Sequence, residues 1–450
     1  MFIIESQEDY FNFLPKFRNS KVLIIPVYSD VNKHPKRNSL CLIYFYLIDY
    51  SESYIISFNH SEGVNLSTDI IDKLESDNNI YVYEKKKFSF FKFSKEYFDA
   101  DLVNYFQTNK PLDVSECETP AQDFLMKYCY NEKNVNQLIP LVKHFEYCEN
   151  IKNIFVNALD GFKITEPFKH YNGLIDNLYN IERNGMFVDY QLFTESFGTN
   201  GIEQNIAFTE YNVYTSTGRP SNRFGGVNYN ALNKEDGTRA AFISRHGDRG
   251  YIVQFDYDAF HLRLIGELIG YTFPTSENIH NYLGNQYFGH PVSSEEEYNE
   301  SKGISFKQLY GGISSEFMDI PYFKKVAVYI DTLWDSYLKK GYVETPIFKR
   351  KLYRRFFNDM NKNKLFNYVL QAYETEFNSI KLADITSLHT RYKSSLILYT
   401  YDSFCFDFDQ VDGAEFIKEI KKVLESNGAF PVKIHAGINY SELKEITQKV

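Results

Sequence analysis

Two apolar runs constrain the second half of this chain more than any other feature. They are YIVQFDYD at 251–258, which carries Asp256, and LILYTYDSFCFDF at 396–408, which carries Asp402. Runs of this length, rich in β-branched and aromatic residues, read as strands, the second as a hairpin. Pairing between them would bring two carboxylates together, and two carboxylates can bridge a pair of hard divalent cations. Between the runs lies YNESKGISFKQLYGG at 298–312, in which Lys302, Phe306 and Tyr310 recur every fourth residue. On a helix that spacing lines up one cation and two rings, a face suited to a triphosphate with its base stacked near Tyr310. Such a helix face is ordinarily core, and an aspartate at a strand end is ordinarily a cap. The conjunction of all three points to nucleotidyl transfer.

A net charge of −10 over 450 residues argues against a nucleic-acid partner only if the charge is evenly spread. A phosphate backbone senses surface charge within about 10 Å. The stretch KKGYVETPIFKRKLYRRFFNDMNKNK at 339–364 has far more lysine and arginine than acid, with only Glu344 and Asp359 opposing. Tyr342, Phe348, Tyr353, Phe356 and Phe357 interleave with those cations, a mix that suits phosphates and unpaired bases. A lone basic run is usually a solvated helix face; between the lysine helix and Asp402 it reads as a template track. The five cysteines are scattered and form no C-x-x-C pair, which fits a reducing cytoplasm without structural zinc. An acidic N-terminus and a longest apolar run of only LCLIYFYLI predict no signal peptide, no membrane partner and a cytoplasmic protein.

Residues 1–165 alternate strands and helices. KVLIIPVY, LCLIYFYLI and SYIISF read as successive strands, NIYVYEKK continues the sheet, and helices follow around YFDADLVNYFQ, TPAQDFLMKYCY and NVNQLIPLVKHFEYCENIKNIFVNAL. The expected architecture is a mixed sheet with helices packed over it. Asp160-Gly161 and Pro167 mark a linker. From residue 171, LIDNLYNIERNGMFVDYQLF has helical spacing to Arg183, a stop at Asn184-Gly185 and a short strand. A loop-rich stretch at 215–232 leads to the Asp256 strand. Next come helix-like LRLIGELIG, the lysine helix, the basic run, a long amphipathic helix at 365–385, the Asp402 hairpin, and a C-terminal helix with a strand.

In this order the segments resemble family A DNA polymerases, the bacterial polymerase I and phage replicase group, over residues 171–450. Ile181-Glu182, Gly185-Met186 and Val188-Asp189 match the family's entry to the palm, and Thr217-Gly218-Arg219 its T-G-R loop. Asn230 stands at the asparagine of N-L-Q-N, and Asp256 to Arg263 match D-Y-S-Q-I-E-L-R. Lys302, Phe306, Tyr310 and Gly311 keep K-x3-F-x3-Y-G, Asn367 and Gln371 keep N-x3-Q, and Tyr401-Asp402-Ser403 replaces H-D-E. The resemblance implies an α+β multidomain protein. It would have an α/β, ribonuclease H-like, exonuclease-like domain at 1–165 and a polymerase domain at 166–450. Within the latter it implies a reduced thumb and palm entry at 166–232, palm at 233–272, helical fingers at 273–364, and palm with an antiparallel sheet at 365–450.

The implied activity is DNA-directed DNA polymerisation with two Mg²⁺ ions, on primer–template DNA and dNTPs, in replication of a phage or similar replicon. Asp256 and Asp402 would be catalytic and, with Tyr257, would hold the metals. His280, Lys302, Phe306, Tyr310 and His261 would bind the nucleotide. Arg219, Asn230, Arg263, Gly311, Asn367 and Gln371 would bind DNA. If phage-encoded, the protein would work in the host cytoplasm.

Departures from the family pattern carry their own expectations. His261 stands where a glutamate excludes ribonucleotides, and it would hydrogen-bond Tyr310 as an altered gate. Tyr298 replaces an arginine that grips the triphosphate, and Tyr401 and Ser403 flank the second aspartate in place of a histidine and an acid. The interval from Met186 to Thr217 is too short for the family's thumb, predicting poor processivity unless a partner protein clamps DNA. At the first strand of the N-terminal domain, PVYSDVN offers Asp30 and Asn32 where proofreading needs D-x-E, and no N-x3-D appears near YEKKKFSFFK. That predicts a degenerate, exonuclease-deficient domain, or an unrelated α/β accessory domain. The competing functions are a single-subunit RNA polymerase or primer-making relative, which often ends this turn in Asp-Ser, and a non-catalytic DNA-binding scaffold.

Overall fold

The apolar runs become strands in both halves of the chain. The computed structural model describes residues 2–88, 96–117, 119–128, 133–199, 201–274 and 277–449. The chain divides into two compact units, Met1–Tyr179 and Asn180–Val450. Residues 89–95, which include all of the FSFFK stretch but its first residue, and Cys129 lie outside the described residues. Cys41, Cys117, Cys148 and Cys405 are buried free thiols. Among the described residues no helix is long and apolar enough to cross a membrane.

The first unit is built on six strands: β1 (Phe2–Ile4), β2 (Val22–Tyr28), β3 (Leu40–Leu47), β4 (Glu52–Ser57), β5 (Ile80–Val82) and β6 (Tyr97–Asp99), in the order β1-β4-β3-β2-β5-β6. β2, β3 and β4 form an antiparallel meander, and β5 and β6 continue it in parallel with β2. Every residue of β2 is buried, so both faces of the sheet's centre are covered. On one face α1 (Gln7–Arg18), opened by a Ser6/Asp9 capping box, sets Phe13 and Phe17 against Phe45.

Two expected helices are divided. YFDADLVNYFQ is strand β6 up to Asp99 and then helix α2 (Ala100–Thr108), because the Asp99 side chain caps the new helix. The segment from Asn134 is a 3₁₀ turn at Val135–Gln137 and then helix α3 (Leu141–Leu159), divided at Pro140, whose missing N–H suits a helix start. Helix α4 (Glu166–Asn184) runs across the unit boundary and stops at the expected Asn184-Gly185. Gly185 has φ +59°, and a Cβ there would fall 2.4 Å from Ile206 Cγ2, so only glycine makes this exit.

In the second unit, residues 186–207 hold the short helix Tyr190–Phe197 and the two-residue strands Met186–Phe187, Ile202–Glu203 and Ile206–Ala207. The main sheet comprises β7 (Gly250–Tyr257), β8 (Ser395–Thr400), β9 (Ser403–Asp409), β10 (Val432–Gly437) and β11 (Lys444–Glu445), antiparallel throughout in the order β8-β9-β7-β10-β11. Helices α5 (Phe260–Ile269), α6 (Ile279–Phe288), α7 (Glu295–Gly311), α8 (Pro321–Lys340), α9 (Lys362–Leu388) and α10 (Gly413–Glu425) complete it.

The basic run is no helix face. It leaves the end of α8 into a hairpin that pairs Tyr342–Glu344 with Lys351–Tyr353. Arg350 and Phe348 are buried in it, and the Glu376 carboxylate accepts from the Ile347 and Phe348 N–H groups, both at 2.9 Å. The other cations stay at the surface with the rings: Lys351 lies 4.6 Å from the Tyr342 ring centre and Arg355 lies 4.8 Å from that of Tyr353.

Candidate active site

Antiparallel register brings the two aspartates together. Asp256, near the end of β7, stands opposite Ser403, the first residue of β9, and the Tyr257 N–H donates to the Asp402 carbonyl at 3.0 Å. Asp402 is the second residue of the two-residue turn joining β8 to β9. The first, Tyr401, adopts φ +58°, a conformation hairpin turns need and tyrosine rarely takes. Two contacts hold it there: the Arg219 guanidinium lies 3.5 Å from its ring centre, and Asn378 Nδ2 donates to its carbonyl at 2.6 Å.

Asp256 is half-buried and Asp402 lies at the exposed turn, and both carboxyls are pushed upward. Burial and then the Asp402 charge raise Asp256 to about 7, against the pull of Lys234, Lys302 and Lys433. Burial and then the Glu374 charge raise Asp402. Tyr257 faces the other way, as strand alternation requires: its ring stacks on Phe260 at 4.3 Å and its hydroxyl reaches the Leu424 carbonyl. Any ligand role for Tyr257 therefore falls to its main-chain carbonyl.

Among the described residues no cluster of three or more His, Cys, Asp and Glu side chains is placed to hold a metal ion. Two adjoining carboxylates still fit Mg²⁺, which binds through one or two carboxylates and completes its shell with water and substrate phosphates. Their raised pKa values come first from desolvation and then from a neighbouring carboxylate charge, and a divalent cation would offset both.

Beside the aspartates runs a polar chain centred on the buried Glu374 of α9. Arg219 pairs with it at 3.0 Å and His261 Nε2 lies 2.9 Å from it, while His261 Nδ1 meets the Tyr310 hydroxyl. Burial pushes Glu374 up, but His261 and Arg219 outweigh it and hold the carboxyl below its ordinary value. Burial and the Glu374 charge raise the Tyr310 phenol to about 12. His261 thus bridges the two groups through its ring nitrogens, Nε2 toward the Glu374 carboxylate and Nδ1 toward the Tyr310 hydroxyl. The expected His261–Tyr310 contact is present, with a carboxylate behind it.

On α7 the four-residue spacing is realised as contact. The Lys302 ammonium lies 6.0 Å from the Phe306 ring centre, and the Phe306 and Tyr310 rings stack at 6.0 Å and 18°. His280, near the start of α6, turns its ring edge-on to Tyr298 and Phe306. It is buried, its Nδ1 has no hydrogen-bond partner among the described residues, and burial lowers it to about 4, so the ring is neutral.

Of the residues expected to bind DNA, Asn367 and Gln371 lie on α9, Gly311 ends α7, Arg263 lies on α5, and Arg219 and Asn230 lie in the 215–232 stretch. Asn367 donates to the Tyr310 carbonyl at 3.3 Å, Gln371 accepts from Thr217 at 3.3 Å, and Asn363 donates to the Gly311 carbonyl at 3.2 Å. Asn230 reaches the Pro220 carbonyl at 3.5 Å. Arg263 is turned toward Asp258: its Nε donates to the Asp258 carbonyl at 2.9 Å, and the guanidinium lies 3.6 Å from the carboxylate. The sequence expectations do not include Glu374, Asn378 or Lys433. Glu374 and Asn378 continue the face of Asn367 and Gln371 at helical spacing, a signal readable in the sequence. Lys433 acquires its place through the β7–β10 register alone.

No family model and no curated protein matches the chain. Among solved structures it is similar to the POL domain of Pol1 from M. smegmatis in complex with DNA primer-template and dNTP. That match has a TM-score of 0.70 and 13% identity, and covers 96% of this chain and 98% of the other. The likeness is one of fold.

Proposed function

We propose that this chain is a template-directed DNA polymerase that adds dNTPs to a primer 3′ end by two-metal nucleotidyl transfer. The observation that carries this reading is the register setting Asp256 beside Asp402, with the Lys302, Phe306 and Tyr310 face on α7. The fold it shares with a polymerase domain bound to primer-template and dNTP supports the same reading. Two Mg²⁺ ions bound by Asp256, Asp402 and the Tyr257 carbonyl would acidify the primer hydroxyl and neutralise the leaving pyrophosphate.

The chain's own side chains supply the rest. Lys302 draws the triphosphate along α7, and Phe306 and Tyr310 stack the base. His261, braced by Glu374, fills the space below the sugar and selects against a 2′-hydroxyl. Arg219, Asn230, Arg263, Gln371, Asn367 and Gly311 form the DNA side, and the basic-aromatic hairpin at 342–356 takes the unpaired template.

In the first unit, a meander continued by two parallel strands is the order expected of a ribonuclease H-like domain. Asp30, however, accepts from the Asn32 N–H at 2.9 Å in a local turn and has no acidic partner two residues on. The proposal is therefore polymerisation without proofreading. With little chain between Met186 and Thr217 to grip product duplex, processivity depends on a partner protein.

Primer extension on a matched and a 3′-mismatched primer, with dNTPs or NTPs, tests the whole reading. The expected result is dNTP addition to the matched primer with no mismatch excision. Preferential NTP addition would make the chain an RNA or primer polymerase, and DNA binding without extension would make it a scaffold. In single-turnover extension with a trap, hundreds of nucleotides added per binding event would overturn the processivity proposal.

A further inference from the structure

The β7–β10 register sets Lys433 directly opposite Asp256, on the side away from Ser403. Paired residues project from the same face of a sheet, so a cross-strand Lys–Asp pair would be the ordinary outcome. Lys433 instead reaches past its partner to Asp258, with Nζ 3.1 Å from Oδ1. Among the described residues no donor reaches the Asp256 carboxylate.

Asp258 already has company. Arg263 lies 3.6 Å from its other oxygen, and Asn278 Nδ2, at the N-cap of α6, lies 3.4 and 3.5 Å from the two oxygens. Two cations and an amide thus converge on one carboxylate, leaving a surplus of positive charge. The cations differ in freedom. Arg263 is tied to the Asp258 main chain and its side chain is 19% exposed, whereas that of Lys433 is 41% exposed and ends in a rotatable ammonium. The Lys433 charge is felt by Asp256 and by His280, while Asp258, Tyr298 of α7 and Glu445 act on Lys433. Tyr298 lies one helical turn before Lys302. Lys433 therefore stands over the same carboxylate as Lys302, at the upstream end of the α7 face.

We propose that Lys433 is a polyphosphate ligand of the nucleotide site, held ready by Asp258 and transferred to the substrate's phosphates on binding. This deepens the polymerase reading and rests on it. Lys433 and Lys302 would then grip one triphosphate from two elements, sheet and helix, where α7 alone offers a single lysine beside Phe306 and Tyr310.

The test is steady-state primer extension by the full chain as a function of dNTP concentration, with the melting temperature of each variant measured alongside. Failure of the wild type to extend would overturn the polymerase reading itself. If it extends, Lys433→Ala should raise KM for dNTP about tenfold, the loss of one charge-assisted phosphate contact, with kcat nearly unchanged. Lys433→Arg should restore most of the loss. Asp258→Asn keeps the lysine and removes its competitor, so it should lower KM, and it decides the matter even if Lys433→Ala folds poorly. A wild-type KM in a folded Lys433→Ala variant, or an increase in KM in Asp258→Asn, would make the pair a staple of the sheet and overturn the proposal.

Discussion

At the end of β6 and at the end of β7 an aspartate leaves a buried strand, and the two carboxylates are used in opposite ways. Asp99 accepts from the Leu102 N–H at 2.9 Å, capping α2, and from the Lys85 N–H at 3.2 Å. Its neighbour Asp101 accepts from the Leu112 N–H at 3.0 Å and is pushed upward by burial and by the charges of Asp99 and Glu84. These groups complete the backbone around them. Asp256 completes none, and it faces a second raised carboxyl with three lysines in reach of its field. Even a half-buried carboxylate without donors is costly unless something from outside supplies the missing charge. The difference between cap and candidate ligand therefore lies in whether the local main chain already uses the oxygens.

The largest expected effect follows directly. Asp256→Ala or Asp402→Ala should reduce the primer-extension rate by about a thousandfold or more, since metal-borne charge stabilisation is worth several kcal/mol. Asp99→Ala should leave extension unchanged while lowering the melting temperature, with a lost N-cap costing about 1 kcal/mol. Equal effects on extension from the two strand ends would break the comparison.

Next is Glu374, the buried charge that braces Arg219 and His261. Glu374→Gln should destabilise the fold by about 3 kcal/mol in chemical denaturation, because it leaves the partly buried Arg219 guanidinium without its carboxylate. Its folded pKa lies below the ordinary value, so its contribution is present above the unfolded pKa and is lost as pH falls through the folded one. The variant should therefore lose part of the wild type's acid sensitivity, and an unchanged acid limb would count against the pairing.

A smaller effect is expected at the sugar. His261→Ala, which opens the space next to Tyr310, should reduce the dNTP-over-NTP ratio of kcat/KM about tenfold. An unchanged ratio would remove His261 from the gate.

The smallest should be in stability without substrate. Asp256 has a folded pKa near 7, so the folded state holds a proton that the unfolded chain has lost. With chelator present, stability should fall as pH rises from the ordinary carboxyl range to about 7, the reverse of a salt-bridged carboxylate. Asp256→Asn should abolish that decline, and Mg²⁺ should raise the melting temperature of the wild type above pH 7 but not that of the variant.

What could be read in the sequence, and what could not, has a physical basis. Strand runs such as VLIIPVY and YIVQFDY announce themselves because burial demands continuous apolar residues. The Lys302–Phe306–Tyr310 face is legible because helical geometry turns spacing directly into contact. Pro140 and the Asp99 cap were less visible, since apolar periodicity continues across both while the backbone changes its hydrogen bonding. Lys433 has no signal in its own segment: a lysine in a short strand acquires meaning only from the strand beside it. Glu374 lies between, with helical spacing that marks its face and partners from distant segments that the spacing does not identify.

Helix α9 joins these observations. Asn363, Asn367, Gln371, Glu374 and Asn378 touch, in turn, the Gly311 carbonyl, the Tyr310 carbonyl, Thr217, the Arg219–His261 pair and the Tyr401 turn. Each residue added to or deleted from a helix rotates everything beyond it by about 100°. A single-residue deletion between Gln371 and Glu374 would leave the first three contacts in place and swing the last two out of the site together. A stretch like this can drift widely in residue identity while its length stays fixed.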